Sequence, residues 1–385
     1  MLKMLNARTV EIDDVEQAVS EILEQLNIEE NLLKNSVGIM SCYSEFIETG
    51  VVKALCDSLP FSVVGGTTLS NGMEDESGMM MLCLTVLTAD DVCFSTALTE
   101  VLDDHMDEHI SSAYKNVISG LEGEPILLVP FIPLLEDVGG EMILGKLNAV
   151  SGGISTFGTV VCDHFSDYST AHTIYDGEAA RDKMAMLVVS GNIKPRFMIE
   201  TISDANIQKQ TAIITESQGC LLKSVNNMTA EKYMNILGLA EGGGAESLNT
   251  IPFIVDYNDG TKPAARVIHM LTPDGYAVCG GAMPVGSALS VGLLEAGDVL
   301  KTSEKIMNDI VSSGECSGVL IFPCVSRGLI MGADMLMELE IIRRCADGKI
   351  PYHVVYSGGE YCPVYGEDGH TENRFHNFSV IACIF

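Results

Sequence analysis

Along the first part of the chain, apolar residues fall at helical spacing. Ile12, Val15, Val19, Ile22, Leu23 and Leu26 lie on one face of the stretch Glu11 to Leu26, and the acids at its start suit the helix dipole. This predicts an amphipathic helix within a leading segment, residues 1–35. After Asn35 the pattern changes to short apolar runs bounded by Gly and Pro, the pattern of buried strands.

Those runs recur in three rounds. The first predicts a strand at Val37 to Cys42, a helical stretch carrying Val51, Val52, Leu55 and Leu59, a strand at Ser62 to Val64 ending in Gly65-Gly66, and a closing strand, Met79 to Leu87. The second predicts a strand at Pro125 to Phe131, a helix around Met142 to Leu147, the pair Gly152-Gly153, and a strand at Met184 to Val189. The third predicts a strand at Gly318 to Cys324, a helix over Met331 to Cys345, a strand at His353 to Tyr356 ending in Gly358-Gly359, and a last strand, Phe378 to Ile384. The repeated unit is strand, helix, strand ending in Gly-Gly, loop, strand. The expected fold class is therefore mixed α/β: short buried strands in mixed sheets, covered by helices, in two related domains.

The segment Asn192 to Ser317 separates the second and third rounds. It predicts strands or loop over Arg196 to Thr215 and a short helix over Thr229 to Leu239 capped by Thr229. Glu241-Gly242-Gly243-Gly244 reads as a flexible loop. Val267 to Leu271 and Tyr276 to Cys279 flank Thr272-Pro273-Asp274-Gly275, a hairpin turn sequence. Asp298 to Ser312 predicts another amphipathic helix. A domain boundary between Ile193 and Ser224 divides the chain into 36–222 and 223–385. Tyr276 to Leu294 is uncharged and long enough to span a bilayer, but its four glycines and Pro284 favour strand and turn.

Composition narrows the function. The 22 Lys and Arg stand against 53 Asp and Glu, a formal charge of −31. No basic patch is large enough for nucleic acid or an anionic membrane. Residues 1–27 have no secretory apolar region, so the twelve cysteines are expected to be reduced thiols in a cytoplasmic protein. No Cys-x-x-Cys pair suggests zinc, and no cofactor or metal is expected. His105-Met106-Asp107-Glu108-His109 matches His-x-x-Glu-His, but both His flank the stripe formed by Leu98, Leu102, Met106, Ala113 and Val117. The bland reading is two boundary residues on a surface helix.

Several motifs in order resemble the FIST family, named for F-box and intracellular signal transduction proteins. Val63-Val64-Gly65-Gly66-Thr67-Thr68 is similar to its first strand end, with Gly66 where the family has Cys. Arg266, the Asp274-Gly275 hairpin and Met283-Pro284-Val285-Gly286 fit its second half. So do Phe322-Pro323-Cys324-Val325-Ser326-Arg327, Tyr356-Ser357-Gly358-Gly359-Glu360 and His376-Asn377-Phe378-Ser379. The resemblance runs from about Ser36 to the end. It implies a FIST N-terminal and a FIST C-terminal domain, and an intracellular sensory protein binding a small ligand such as an amino acid. Its output is expected to reach a separate signalling protein, since no output module follows the last strand.

The resemblance and the residue chemistry together point to one set of candidates. Gly65, Gly66, Gly358 and Gly359 are pocket walls or tight turns. Thr67 and Thr68 offer hydroxyls and N–H groups to an anion, or simply bond within their turn. Cys324 lines a pocket, acts as a nucleophile, or is a small buried thiol. Glu360 is placed to hold a ligand ammonium and Arg327 or Arg266 a ligand carboxylate, which together suit a zwitterion. Tyr356 belongs to the same turn, and Asn377 is a ligand contact or a strand-edge hydrogen bonder. His353 and His376 are the bases available to an enzyme using Cys324. A protein-interaction scaffold is the remaining alternative.

Overall fold

Each of the three rounds of the sequence folds into the same unit. In the computed structural model, which describes residues 2–74, 76–135, 138–164, 168–209, 211–239, 248, 250–314 and 316–385, a unit has four principal strands. Across the first sheet they run Leu2–Thr9, Leu82–Ala89, Asn35–Cys42, Val63–Thr67. The second runs Val92–Leu98, Ala185–Gly191, Pro125–Ile132, Gly158–Val160. The third runs Arg196–Glu200, Val380–Ile384, Val319–Pro323, Tyr352–Val355. In every copy the first two pairings are antiparallel and the last is parallel. A parallel neighbour requires a crossover, which helices supply: Val51–Asp57, Gly140–Ser151, and Val325–Met331 with Leu336–Ala346.

The units exchange hairpins cyclically. Before its closing strand, each unit sends a hairpin to the parallel strand of another. Asn71–Gly72 of the first unit pairs with Tyr352–Val355 of the third. Thr173–Tyr175 of the second pairs with Val63–Thr67 of the first. Glu360–Tyr365 of the third pairs with Gly158–Val160 of the second.

Both faces of the inner principal strands are buried, and side-chain alternation decides which core each residue joins. Val37 and Ile39, Leu127, Val129 and Phe131, and Leu320 and Phe322 point into one core shared by the three sheets. Phe157 and Phe322 stack there with ring centres 4.9 Å apart. The residues between them face outward, where Met40 and Cys42 meet the helices of the first unit, Leu128 and Ile132 those of the second, and Val319 and Ile321 those of the third. This two-sided burial is why the strands read as continuous apolar runs rather than alternating ones.

The third unit carries an inserted eight-stranded antiparallel sheet. Its order is Ala264–Arg266, Phe253–Asp256, Ala288–Val291, Ala212–Gln218, Leu221–Val225, Ala277–Cys279, Ile268–Leu271, with Met228–Thr229 beside Leu221–Val225. The expected hairpin is present, with Gly275 at φ 76° and its N–H bonded to the Thr272 carbonyl at 2.9 Å. Thr229 caps the helix Ala230–Ile236. The expected loop at residues 241–244 lies outside the described residues. Among the described residues no helix is long and apolar enough to cross a membrane.

Three expectations are corrected. Residues 1–35 are more than a helix: Leu2–Thr9 is an edge strand of the first sheet, and the helix begins at Val15 after Asp14, whose carboxylate caps it. Alternating burial along that strand was masked by its polar residues. Gly152-Gly153 does not end a strand; both residues have positive φ, 71° and 78°, and close the helix Gly140–Ser151. Gly65-Gly66 lies inside a strand rather than at its end.

Candidate functional site

The parallel strands of the three units end at one junction. The Cys162 N–H donates to the Thr67 carbonyl at 3.3 Å, Gly358 N–H to the Val160 carbonyl at 2.8 Å, and Tyr356 N–H to the Ser70 carbonyl at 3.0 Å. The small residues of the first strand follow from this crowding. A Cβ on Gly65 would lie 1.9 Å from the Met40 carbonyl oxygen, and one on Gly66 would lie 2.2 Å from Val161 Cγ1. Gly65 and Gly66 therefore permit backbone packing and line none of the described cavities. The Thr hydroxyls are committed too: Thr67 Oγ1 accepts from His172 N–H at 2.9 Å, and Thr68 Oγ1 donates to the Tyr356 carbonyl at 2.8 Å. Thr67 and Thr68 tie units together and are not free to cradle an anion.

Beside the junction lies a cavity of about 500 Å³. The second unit supplies Ile132, Ile143 and Val160, and the third supplies Cys324, Ser326, Leu329 and Gly358. The exchanged hairpin adds Tyr361 and Phe375, followed by Asn377, and the inserted sheet closes the side with Cys220, Val267, His269 and Cys279. No Asp, Glu, Lys or Arg is among the described lining residues. The walls mix apolar side chains with polar atoms, and polar contact is available at Asn377, Ser326, His269 and the thiols. Of the residues expected from sequence, Cys324, Gly358 and Asn377 reach this space. Asn377 also fastens the inserted sheet, since its Oδ1 accepts from Val267 N–H at 3.2 Å while its Nδ2 donates to the His376 carbonyl at 3.0 Å.

Glu360 sits behind this wall. It is fully buried, its Oε2 accepts from Ser379 Oγ at 2.7 Å, and its Oε1 has no hydrogen-bond partner. Burial pushes its pKa up to about 8, against the opposing pull of Ser379, Cys324, Arg327 and Ser357. Burial likewise drives the Cys324 thiol well above its usual range, and the neighbouring Glu360 charge raises it further. Gly359 packs against an aromatic ring, where a Cβ would lie 2.3 Å from Phe375 Cζ.

Both arginines are spent on the fold. Arg327 is fully buried and donates through Nε to Glu338 Oε1 at 2.8 Å, through Nη2 to the Val299 carbonyl at 2.9 Å, Thr302 at 3.0 Å and Ser303 at 2.9 Å, and through Nη1 to the Phe378 carbonyl at 3.2 Å. Tyr356 joins the same network, donating from its hydroxyl to Glu338 Oε2 at 2.6 Å. Arg266, also fully buried, donates to the Phe375 carbonyl at 2.8 Å and to the Tyr257 hydroxyl, with Glu141 at 3.5 Å. Neither guanidinium reaches the cavity, so the expected carboxylate anchor is not in place. A sequence shows that an Arg is scarce but not that an acid elsewhere in the chain already holds it.

The histidines also have other work. His353 bridges the third unit to the first, with Ser41 Oγ at 2.7 Å and Thr85 Oγ1 at 3.1 Å. His376 lies 3.2 Å from the Cys362 carbonyl. Burial lowers both pKa values to about 3. His105 precedes the helix Met106–Ser119, and His109 Nδ1 is 2.6 Å from the Val101 carbonyl. Among the described residues no group of His, Cys, Asp or Glu is arranged to hold a metal ion.

Sequence reasoning missed the wall contributed by Cys220, Cys279 and Phe375. One signal was present: Gly280-Gly281 follows an apolar strand, as Gly358-Gly359 does. A Cβ there would lie 2.5 Å from Asn377 Oδ1 at Gly280 and 2.6 Å from Arg266 Nε at Gly281.

Comparison with known proteins assigns the family. The FIST N domain model matches residues 36–228 and the FIST C domain model residues 229–363. No curated protein matches the chain. Among solved structures, the chain is matched by one described as the crystal structure of cyanuric acid hydrolase from A. caulinodans. The identity is 10%, the match covers 76% of this chain and 99% of that one, and the TM-score is 0.29, too low to carry an argument about function.

Proposed function

Because the chain belongs to the FIST family, whose domains are signal-transduction and sensory modules, we propose that it binds a small molecule in the cavity between its second and third units and its inserted sheet. The observation that carries this reading is a cavity of about 500 Å³ whose walls combine apolar side chains with several polar groups, of the size of ligand sites. The zwitterionic amino acid suggested by Glu360 and Arg327 loses its support, because Arg327 is engaged by Glu338 and the described walls carry no charge. The ligand we propose is neutral and partly apolar, with hydrogen-bonding groups to meet Asn377 and Ser326. Occupancy is passed to a separate signalling protein. Twelve free thiols fit a reducing, cytoplasmic setting.

We read the cavity as binding rather than catalytic. A nucleophilic Cys324 needs its thiolate, which both burial and the Glu360 charge disfavour. The test is a thermal-shift screen of neutral amides and heterocycles alongside free amino acids. A ligand that binds only the folded protein raises its melting temperature. We expect a neutral compound to do so, and Leu329→Trp, which fills the cavity, to abolish the shift. Stabilisation by amino-acid zwitterions alone, or a shift that survives Leu329→Trp, would overturn the reading.

A further inference from the structure

Two thiols face each other across the inserted sheet where it walls the cavity. Leu221 is opposite Val278 and Leu222 opposite Ala277 in an antiparallel pairing. Continued by one residue, this register sets Cys220 directly opposite Cys279, and the Cys279 N–H donates to the Cys220 carbonyl at 2.9 Å. Both cysteines line the cavity, so their side chains lie on the same face of the sheet. Residues directly opposed on one face hold their Cβ atoms about 4.5–5.5 Å apart, hydrogen-bonded pairs at the wider end, so closing to the span of a disulfide, about 3.5–4.5 Å, draws the two strands together by about 1–2 Å. Both are free thiols, Cys220 half-buried and Cys279 buried.

We propose that Cys220 and Cys279 are a redox-active pair that closes to a disulfide when a peroxide enters the cavity. Cys220, the more accessible sulfur, attacks one peroxide oxygen as its thiolate. The O–O bond breaks, Cys220 becomes a sulfenic acid, and the departing hydroxide takes up the thiol proton as water. The Cys279 sulfur then attacks the Cys220 sulfur. The S–O bond breaks, the Cys279 proton leaves with the hydroxyl as a second water, and the two sulfurs are joined. Two electrons pass from the thiols to the peroxide, and a thiol reductant reverses the change. Cys324, on the third unit's wall and beside the Glu360 carboxyl, takes no part. The pair stands apart from the sensory reading, since it needs no ligand in the cavity.

The test treats the full chain with hydrogen peroxide, blocks remaining thiols by alkylation, and maps peptides without reduction. We expect one linked peptide pair, Cys220 with Cys279, that is lost on addition of dithiothreitol. In Cys279→Ser, Cys220 should stop at the sulfenic acid and be trapped by a 1,3-diketone probe. If that variant does not fold, Cys220→Ser serves instead, and Cys279 should then remain unoxidised. Linkage of Cys220 to any other cysteine, or a peroxide-treated native chain in which both thiols still alkylate, overturns the proposal.

Discussion

Arg327 and Glu338 form an ion pair at 2.8 Å with both side chains fully buried. The pair joins the helices Val325–Met331 and Leu336–Ala346, and Ser303 from a third helix donates to the same Glu338 oxygen at 2.6 Å. Taking away one partner leaves a charge buried without compensation, at a cost of about 3–5 kcal/mol. Arg327→Met should lower stability by that order in urea denaturation. Arg327→Met combined with Glu338→Leu should recover much of the loss. A single variant within about 1 kcal/mol of the parent would refute this role.

Glu360 makes stability depend on alkaline pH. Its folded pKa of about 8 lies above the ordinary 4.5, so folding favours the protonated carboxyl. That contribution is complete below about pH 4.5 and drains away as pH rises through 8. Glu360→Gln keeps a neutral side chain at every pH. Melting temperatures measured between about pH 5 and 9 should therefore fall in the parent and stay flatter in the variant, with the variant ahead at the alkaline end. Parallel curves would count against it.

His353 and His376 act at the other end of the scale. Their folded pKa values near 3 lie below the usual 6.5, so the fold holds both rings neutral. The associated stability is present above about pH 6.5 and is lost as pH falls toward 3. His353→Asn should be less stable overall, since it gives up a bond to Ser41 or Thr85, yet should show a shallower loss between about pH 7 and 4. Denaturant midpoints across that range measure the slope.

The crowded backbone at Gly65 has a mutational signature. A methyl group there meets the Met40 carbonyl at 1.9 Å, which neither strand can relieve without moving the sheet. Gly65→Ala should cost at least about 1–3 kcal/mol. Gly139→Ala, with nothing among the described residues within 4 Å of the added carbon, serves as the control and should be close to neutral in the same unfolding assay.

Much of the architecture was legible because burial on both faces writes an unbroken apolar run. Asn35–Cys42, Pro125–Ile132 and Val319–Pro323 announced themselves this way, and with them the threefold recurrence. The edge strand Leu2–Thr9 did not, because Lys3, Asn6 and Arg8 interrupt it. The hairpin exchange left no trace either, since pairing between distant segments is a property of the closed sheets and not of any local run. For the cavity, Cys324, Gly358 and Asn377 could be singled out by their motifs. Arg327 and Arg266 misled because charge composition cannot reveal that Glu338 and Tyr257 meet them first.

The cyclic hairpin exchange makes the three units components of a single closed circuit. Deleting any one would strip a strand from a neighbour and leave that neighbour with a raw sheet edge. A cut at residue 228, between the two family domains, would separate the second unit's sheet from Glu360–Tyr365 and the third unit's sheet from Asn71–Gly72. The halves named by sequence are thus not separable parts in a mechanical sense. The hairpin beside the cavity belongs to the third unit yet completes the second unit's sheet, so that wall of the cavity is shared property of the two.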